Sequence, residues 1–564
     1  MALNVAGVVA VLVFYIIILV TGVWAARRSR ATERGCQAGQ SEMAMVGDRK
    51  MSVVVGVFTA TATWVGGSYI NGTAEVVYTP GLGLAWSQFP LGCSLSLFFG
   101  ALFFAKPMRM GRYVTMLDPF QIRYGKWLGS LFYIPTAFGD LFWATAVLTA
   151  LGSTISVILD IDRTIAVIVS AFITIIYTLL GGLYSVAYTD IIQLVFMVVG
   201  LVVCVPFAMM NPAVKNIGTT LTETVYQEPW RGRLETRDIT RWIDNMLYMT
   251  LGNIPWQGYF QRVLAAESGT HAQVISFMSA FNTLLLAIPS VLIGAVAVST
   301  DWNMTTYGLP SPHERGEEGM ILPIVLQHIC PNYIAIMGIG VLAAAVMSSA
   351  DSALLSAGSL FTRNVYTQII RPQASDRESM WVLRSTVLIT GSVATVLALQ
   401  TQSTYSLWLW CGELTYIVLF PQLCLVLFLS ASNGYGLIVA FFSGLLFRLT
   451  GGEPLLSLPA LIRYPGYHEV DGLVHQALPM KTIAMLISLT VNVAVSFLTR
   501  HLFVSGTLPG RWDFLKEFTG PPAQPRPTEV LVPDSDKEQL EMTLVADEKG
   551  QLGGEADIRQ TCAG

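Results

Sequence analysis

The chain has 564 residues, of which 53% are hydrophobic and only 12% charged, against roughly 25% charged in an ordinary soluble domain. That is too little charge to coat a water-facing surface, and a net charge of −4 offers no basic footprint for nucleic acid. The seven cysteines, Cys36, Cys93, Cys204, Cys330, Cys411, Cys424 and Cys562, are scattered and odd in number, and neither a disulfide framework nor a metal-ligand spacing follows from them.

A bilayer core about 30 Å thick needs about 20 apolar residues per helix. Residues 5–24, 81–105, 191–214, 272–300 and 482–499 meet this without a charge, and 127–159 meets it with Asp140 as its only acid. Dividing the longer runs at glycine, proline and polar clusters predicts an all-α polytopic membrane protein with about thirteen transmembrane helices. The first span lacks a basic n-region and a small-residue cleavage site, so it reads as a retained helix. Arg27, Arg28, Arg30 and Arg34 follow it, which places the N-terminus outside. Lys106, Arg109, Arg112, Arg371 and Arg377 then fall on the cytoplasmic side. The sequon Asn303-Met304-Thr305 falls outside, where glycosylation is possible. A second match, Asn71-Gly72-Thr73, adjoins an apolar span and is expected to stay unmodified.

The second span is interrupted by Phe58-Thr59-Ala60-Thr61-Ala62-Thr63-Trp64-Val65-Gly66-Gly67-Ser68. The span beginning near Asn245 is interrupted by Leu251-Gly252-Asn253-Ile254-Pro255-Trp256-Gln257-Gly258. Glycine and proline weaken a helix and free backbone carbonyls, which is tolerated at membrane depth only beside protein or a cavity. About five helices separate the breaks, so each opens one of two five-helix halves, as in inverted-repeat transporters with a midplane site. Two ordinary kinked helices are the plainer alternative.

Farther along, Ser348, Ser352, Ser356 and Ser359 recur at helical spacing and form an oxygen-bearing stripe. Oxygens suit a hard cation such as sodium, although small serine faces also serve close helix packing. Asp140, Asp351 and Glu413 put ionisable groups at membrane depth, where they are expected to face a pathway or a partner. Trp143 follows Asp140 by three residues and shares its helix face. Trp64 and Trp256 lie inside the two breaks, and Trp408 lies near Glu413. Several indole faces together make a cage for a quaternary ammonium ion, which cannot donate hydrogen bonds. Trp24, Trp127 and Trp230 read instead as interfacial anchors. Beyond Pro509, a proline-rich and then acidic stretch is expected to form a disordered cytoplasmic tail, in which Leu531-Val532 is a candidate contact for sorting machinery.

Long strings of the chain resemble the sodium/solute symporters and, within them, the high-affinity choline transporters. These are Ala62-Thr63-Trp64-Val65-Gly66-Gly67, Lys106-Pro107-Met108-Arg109, Leu179-Leu180-Gly181-Gly182-Leu183-Tyr184-Ser185-Val186-Ala187-Tyr188-Thr189-Asp190, Ile254-Pro255-Trp256-Gln257 and Met347-Ser348-Ser349-Ala350-Asp351-Ser352. The agreement runs from about Val5 through Thr507. The resemblance implies a LeuT-like core of ten helices in two inverted repeats with three flanking helices, and sodium- and chloride-dependent choline uptake for acetylcholine synthesis. It also implies a sodium site built from the hydroxyls of Ser348 and Ser349 with carbonyls near Thr61, Trp64 and Ala345, and a choline cage of Trp64, Trp143, Trp256 and Trp408. Cys93 stands where that family carries a tyrosine near the cage, Asp140 where it carries glutamate, and Glu413 where it carries aspartate.

The expected organisation is a flanking helix (1–26), a cytoplasmic loop (27–48), a first five-helix repeat (49–209), an extracellular loop (210–239), a second repeat (240–430), two flanking helices (431–508) and the tail (509–564). The expected location is the plasma membrane, with synaptic or endosomal vesicles as further sites. A symporter for a sugar, amino acid or halide would want hydrogen-bond donors in its site, and the indoles and intramembrane acids speak against it. A symporter for another organic amine, or a channel or sensor on the same fold, stays open. No nucleophile–base arrangement or phosphate loop points to an enzyme.

Overall fold

A single apolar segment can satisfy its backbone in lipid only by coiling into a helix, and the described chain is helical almost throughout. The computed structural model describes residues 40–519 except 160, 181–182, 402–406, 408–410, 453–458, 471–472 and 476–477, together with positions 9, 13, 16, 17, 20, 21 and 24 of the first span. Among the described residues the only sheet is an antiparallel hairpin that pairs His468–Val470 with Leu473–His475.

The principal helices are α1 (Val53–Trp64), α2 (Gly67–Tyr78), α3 (Phe89–Phe99), α4 (Tyr133–Leu159), α5 (Arg163–Leu180), α6 (Leu183–Met209), α7 (Ile239–Leu251), α8 (Gln257–Ala265), α9 (Gly269–Val298), α10 (Asn332–Leu360), α11 (Asp376–Gln400), α12 (Phe420–Phe428), α13 (Gly434–Thr450) and α14 (Met480–Val504). Among the described residues seven helical stretches are long and apolar enough to cross a membrane, or eight if α1 and α2 count as one bent span. Several begin ahead of their apolar runs because a polar first turn is capped. In α9, Ser268 accepts the amide of His271 at 3.1 Å, and in α11, Ser375 accepts that of Glu378 at 3.2 Å, as N-cap serines do.

Both interruptions are real breaks. The Val65 amide closes on the Thr61 carbonyl at 2.8 Å, the next helical bond runs from the Ile70 amide to the Gly66 carbonyl, and α2 leaves α1 at 47°. Helix α7 ends with the Gly252 amide on the Tyr248 carbonyl at 2.8 Å. Pro255 then has no amide to donate, Trp256 is extended (φ −110°, ψ 127°), and α8 starts at Gln257. Two runs of helices, α1–α6 and α7–α12, thus follow one another, each opening on a broken pair.

Helix α9 lies along α1, α2 and α3, while α4 packs on α5, α10 and α11. Helix α6 packs on α1 and α10, and α13 pairs with α14. At one end of the bundle the Met51 amide donates to the Ala265 carbonyl at 3.0 Å, and Arg109 Nη2 donates to the Glu267 carbonyl at 3.2 Å. The first bond ties the entry of α1, and the second the segment after α3, to the exit of α8. At the opposite end, the amides of Leu84 and Ala85 donate to the carbonyls of Trp230 and Arg231, and the Trp86 indole donates to the Arg233 carbonyl. Asn303 is exposed in the turn after α9, whereas Asn71 is buried inside α2.

Candidate functional site

The two breaks meet, because each lets the chain present a tryptophan sideways where a continuous helix would carry it past. The rings of Trp64 and Trp256 stand edge to face, with centroids 5.2 Å apart and planes at 84°. Trp143 from α4 joins them, its centroid 5.7 Å from that of Trp256. Phe89 of α3 is 6.0 Å from Trp143 and 5.9 Å from Tyr69 of α2. Edge-to-face and tilted packing at these separations turns electron-rich faces and electropositive edges toward one another.

Trp64, Trp143 and Trp256 wall a small cavity of about 30 Å³ whose lining also includes Asp140, Asn253, Cys411 and Thr415. Glycine lets the walls approach there. A Cβ on Gly252 would lie 2.8 Å from the Tyr416 Cβ and 2.9 Å from the Gly412 carbonyl. Asp140 is 1% exposed and is held from two sides: Trp256 Nε1 donates to Oδ1 at 2.8 Å, and Ser356 Oγ donates to Oδ2 at 2.7 Å. One carboxylate therefore links α4, the second break and α10. The indole nitrogens of Trp64 and Trp143 are buried without a hydrogen-bond partner among the described residues.

The serine hydroxyls of α10 divide their work. Ser349 Oγ donates to the Thr63 carbonyl at 3.2 Å, and a Cβ on Gly66 would lie only 1.6 Å from Ser349 Oγ and 3.3 Å from the Ala345 carbonyl. The first break and the Ala345–Ser349 turn of α10 are therefore in contact, oxygen beside oxygen. The Ser348 hydroxyl is turned to Asp190 of α6. Thr61 is fully buried, with Asn282 Nδ2 at 3.5 Å from its hydroxyl.

Of the three predicted acids, the structure brings Asp140 alone to the cavity. Asp351 turns toward α5, where Thr178 Oγ1 donates to it at 2.5 Å. Glu413 pairs with Arg448 and, at 3.6 Å, with Lys481, which faces it toward α13 and α14. Cys93 is fully buried one turn past Phe89. It does not line the cavity, whereas Cys411 does. Trp408 lies outside the described residues.

Sequence reasoning passed over one cluster altogether. Arg262 on α8 is fully buried, with Nη2 3.6 Å from Asp190 Oδ2 and donating to Ser352 Oγ at 2.6 Å. Thr59 of α1 and Ser348 of α10 donate to the same carboxylate. Burying two opposite charges is tolerable only with such supporting hydrogen bonds, and the knot joins α1, α6, α8 and α10. The available signal was a lone arginine six residues beyond the tryptophan of the second break.

Fold and site together define a polytopic helical membrane protein with two broken helices around an aromatic cavity and an adjoining oxygen-rich contact. The chain belongs to the sodium:solute symporter family, whose model matches residues 45–444. It is 54% identical to the human "High affinity choline transporter 1" over 91% of this chain and 88% of that one. It is 46% identical to the Drosophila melanogaster "High-affinity choline transporter 1" over 91% and 81%, and 25% identical to the sheep "Sodium/glucose cotransporter 1" over 78% and 71%. Among solved structures, a substrate-bound outward-open state of a Na+-coupled sialic acid symporter shares the fold, with a TM-score of 0.68 at 17% identity, over 88% of this chain and 98% of that one.

Proposed function

We propose that the chain carries choline, or an amine closely like it, into the cell by sodium-coupled, chloride-dependent alternating access, supplying acetylcholine synthesis. The observation that carries this reading is the meeting of Trp64, Trp143 and Trp256 around Asp140. A trimethylammonium group cannot donate hydrogen bonds, so ring faces and a diffuse negative charge are what can hold it. Indoles lodged at helix breaks beside a carboxylate supply both. Sodium binds between the first break and α10, at oxygens of Thr61, Trp64, Ala345, Ser348 and Ser349, where Gly66 lets the chains touch. Its binding steadies the break and so orients Trp64, which gives sodium the differential affinity for one state that coupling requires.

In this reading residues 49–209 and 240–430 are inverted repeats, each opened by one of the broken pairs, and the helix count reaches thirteen. The extra spans are three shorter apolar helices, the pair α7 and α8, and the first span. The N-terminus lies outside the plasma membrane, Asn303 is glycosylated there, and the tail meets sorting machinery inside. The Arg262–Asp190 knot and the Met51–Ala265 tie close the cytoplasmic end and part when the site opens inward. The names of the curated relatives support choline as the solute. A sugar carrier would need donors where the cavity has rings.

Labelled choline uptake into vesicles reconstituted with the purified chain tests this directly. Uptake should exceed equilibrium with an inward sodium gradient and collapse when potassium replaces sodium. Equilibration that ignores the gradient would make the protein a channel or sensor on the same fold.

A further inference from the structure

A second cavity, of about 360 Å³, lies at the end of the bundle that carries the Met51–Ala265 tie. Five separate segments wall it: the short helix Gln40–Val46 ahead of α1, the loop at Val114, the start of the short helix Lys126–Leu131, the continuation of α10 at Phe361–Ile370, and the approach to α11. Its polar lining includes Ser41, Glu42, Lys126, Thr362, Arg363 and Asp376.

Two of these groups are left over by the fold. Thr362 is fully buried and its hydroxyl has no hydrogen-bond partner, and Arg363 Nε is buried and equally unpartnered. Buried polar atoms are nearly always satisfied, so two orphans on one cavity wall point to a missing polar guest.

The charges indicate its sign. Asp376 accepts the Ser41 amide at 3.0 Å and the Ser41 hydroxyl at 2.5 Å, and Glu42 is paired with Arg49 at 2.9 Å. Glu42 is thus neutralised, and the carboxylate of Asp376, held by neutral donors, is outnumbered by the two cations Lys126 and Arg363, neither of which has an ion-pair partner among the described residues. The unspent charge is positive. A guanidinium fork, an ammonium and a hydroxyl spread around a roomy cavity suit an anion with several acceptor oxygens better than a single-atom halide. The neighbouring Trp127 is 76% exposed, as a side chain at the headgroup level of a membrane would be.

We propose that this cavity binds a phosphate-bearing anion, from a lipid headgroup or a free phosphate compound, and thereby fastens the segment ahead of α1 to the ends of α10 and α11. Binding stands on the geometry alone. Its consequence for transport rests on the alternating-access reading, in which fastening that end favours the state closed to the cytoplasm and slows inward release.

The test is binding to the full-length chain at constant ionic strength, with two probes. One is millimolar inorganic phosphate, read by the unfolding temperature. The other is phosphatidylcholine vesicles in which one lipid in twenty is a bisphosphorylated inositol lipid, read by uptake kinetics against plain vesicles. At least one probe should raise the unfolding temperature or alter uptake. The double variant Lys126→Gln with Arg363→Gln should weaken that response about tenfold or more, and Thr362→Val, close to isosteric, should weaken it less. Lys50→Gln, on the same face but outside the cavity, should leave it intact. A response to phosphate assigns a free ligand, and a response to the lipid alone assigns a headgroup. No response to either probe, or an undiminished one in both the double variant and Thr362→Val, overturns the site. A chain that binds phosphate but does not concentrate choline leaves the site standing and refutes the transport reading.

Discussion

Trp256 is the residue whose replacement separates ring chemistry from shape. Its indole does two things at once: it presents a face between Trp64 and Trp143, and it donates to Asp140 at 2.8 Å. Trp256→Phe keeps a ring and loses the hydrogen bond, worth about 1.5 kcal/mol for a charged acceptor, so the half-saturating choline concentration should rise roughly tenfold. Trp256→Ala also forfeits a desolvated cation–π contact of about 2 kcal/mol, so it should rise some 300-fold or more, roughly. The assay is labelled choline uptake over a concentration series, with competition by 3,3-dimethylbutan-1-ol, the neutral carbon isostere of choline. Choline's advantage over the isostere should shrink far more in Trp256→Ala than in Trp256→Phe. Equal losses for Phe and Ala, or an advantage that survives Ala, would refute the reasoning.

Removing the hydroxyls in Ser348→Ala with Ser349→Ala should raise the sodium concentration for half-maximal uptake by at least about tenfold, since two of five proposed ligands go; unchanged sodium dependence would end that assignment. Gly66→Ala should abolish transport, because its methyl would sit 1.6 Å from Ser349 Oγ and such overpacking costs about 1–3 kcal/mol; wild-type uptake would show that this contact yields freely. Arg262→Ala leaves Asp190 buried without its cation and should destabilise the fold by about 3–5 kcal/mol, seen as a lower unfolding temperature, whereas Arg262→Met with Asp190→Leu should recover much of it. Asn303→Gln should remove a glycosidase-sensitive shift in gel mobility from protein made in animal cells, and Asn71→Gln, inside α2, should not. A glycan-free wild-type chain would refute the proposed modification of Asn303.

The breaks were legible because glycine, proline and clustered threonines are local properties of the chain, and the tryptophans inside them were conspicuous for the same reason. What those tryptophans touch is a tertiary matter. Asp140 was paired in sequence with Trp143, three residues on, yet its hydrogen bonds come from Trp256 and Ser356, more than a hundred positions away. The other acids show the same limit. Nothing near Glu413 announces Arg448 or Lys481, and nothing near Asp351 singles out Thr178. Arg262 was overlooked because one cation near a helix end reads as an ordinary flanking charge, and only the fold shows it fully buried. Helix limits differ from the apolar runs wherever a capped polar turn prolongs the helix beyond the hydrocarbon.

The Arg262–Asp190 knot has a last consequence, for economy of transport. A contact made of many weak apolar touches can open by degrees, but a buried ion pair cannot, since a half-parted pair leaves two bare charges in a medium that penalises each heavily. In the proposed transport cycle, four helices fastened to one carboxylate would leave that end of the bundle either shut or fully parted, with little population between. A carrier governed by such a latch has few partly open states through which ions can slip, so a gradient is not drained by the protein meant to use it.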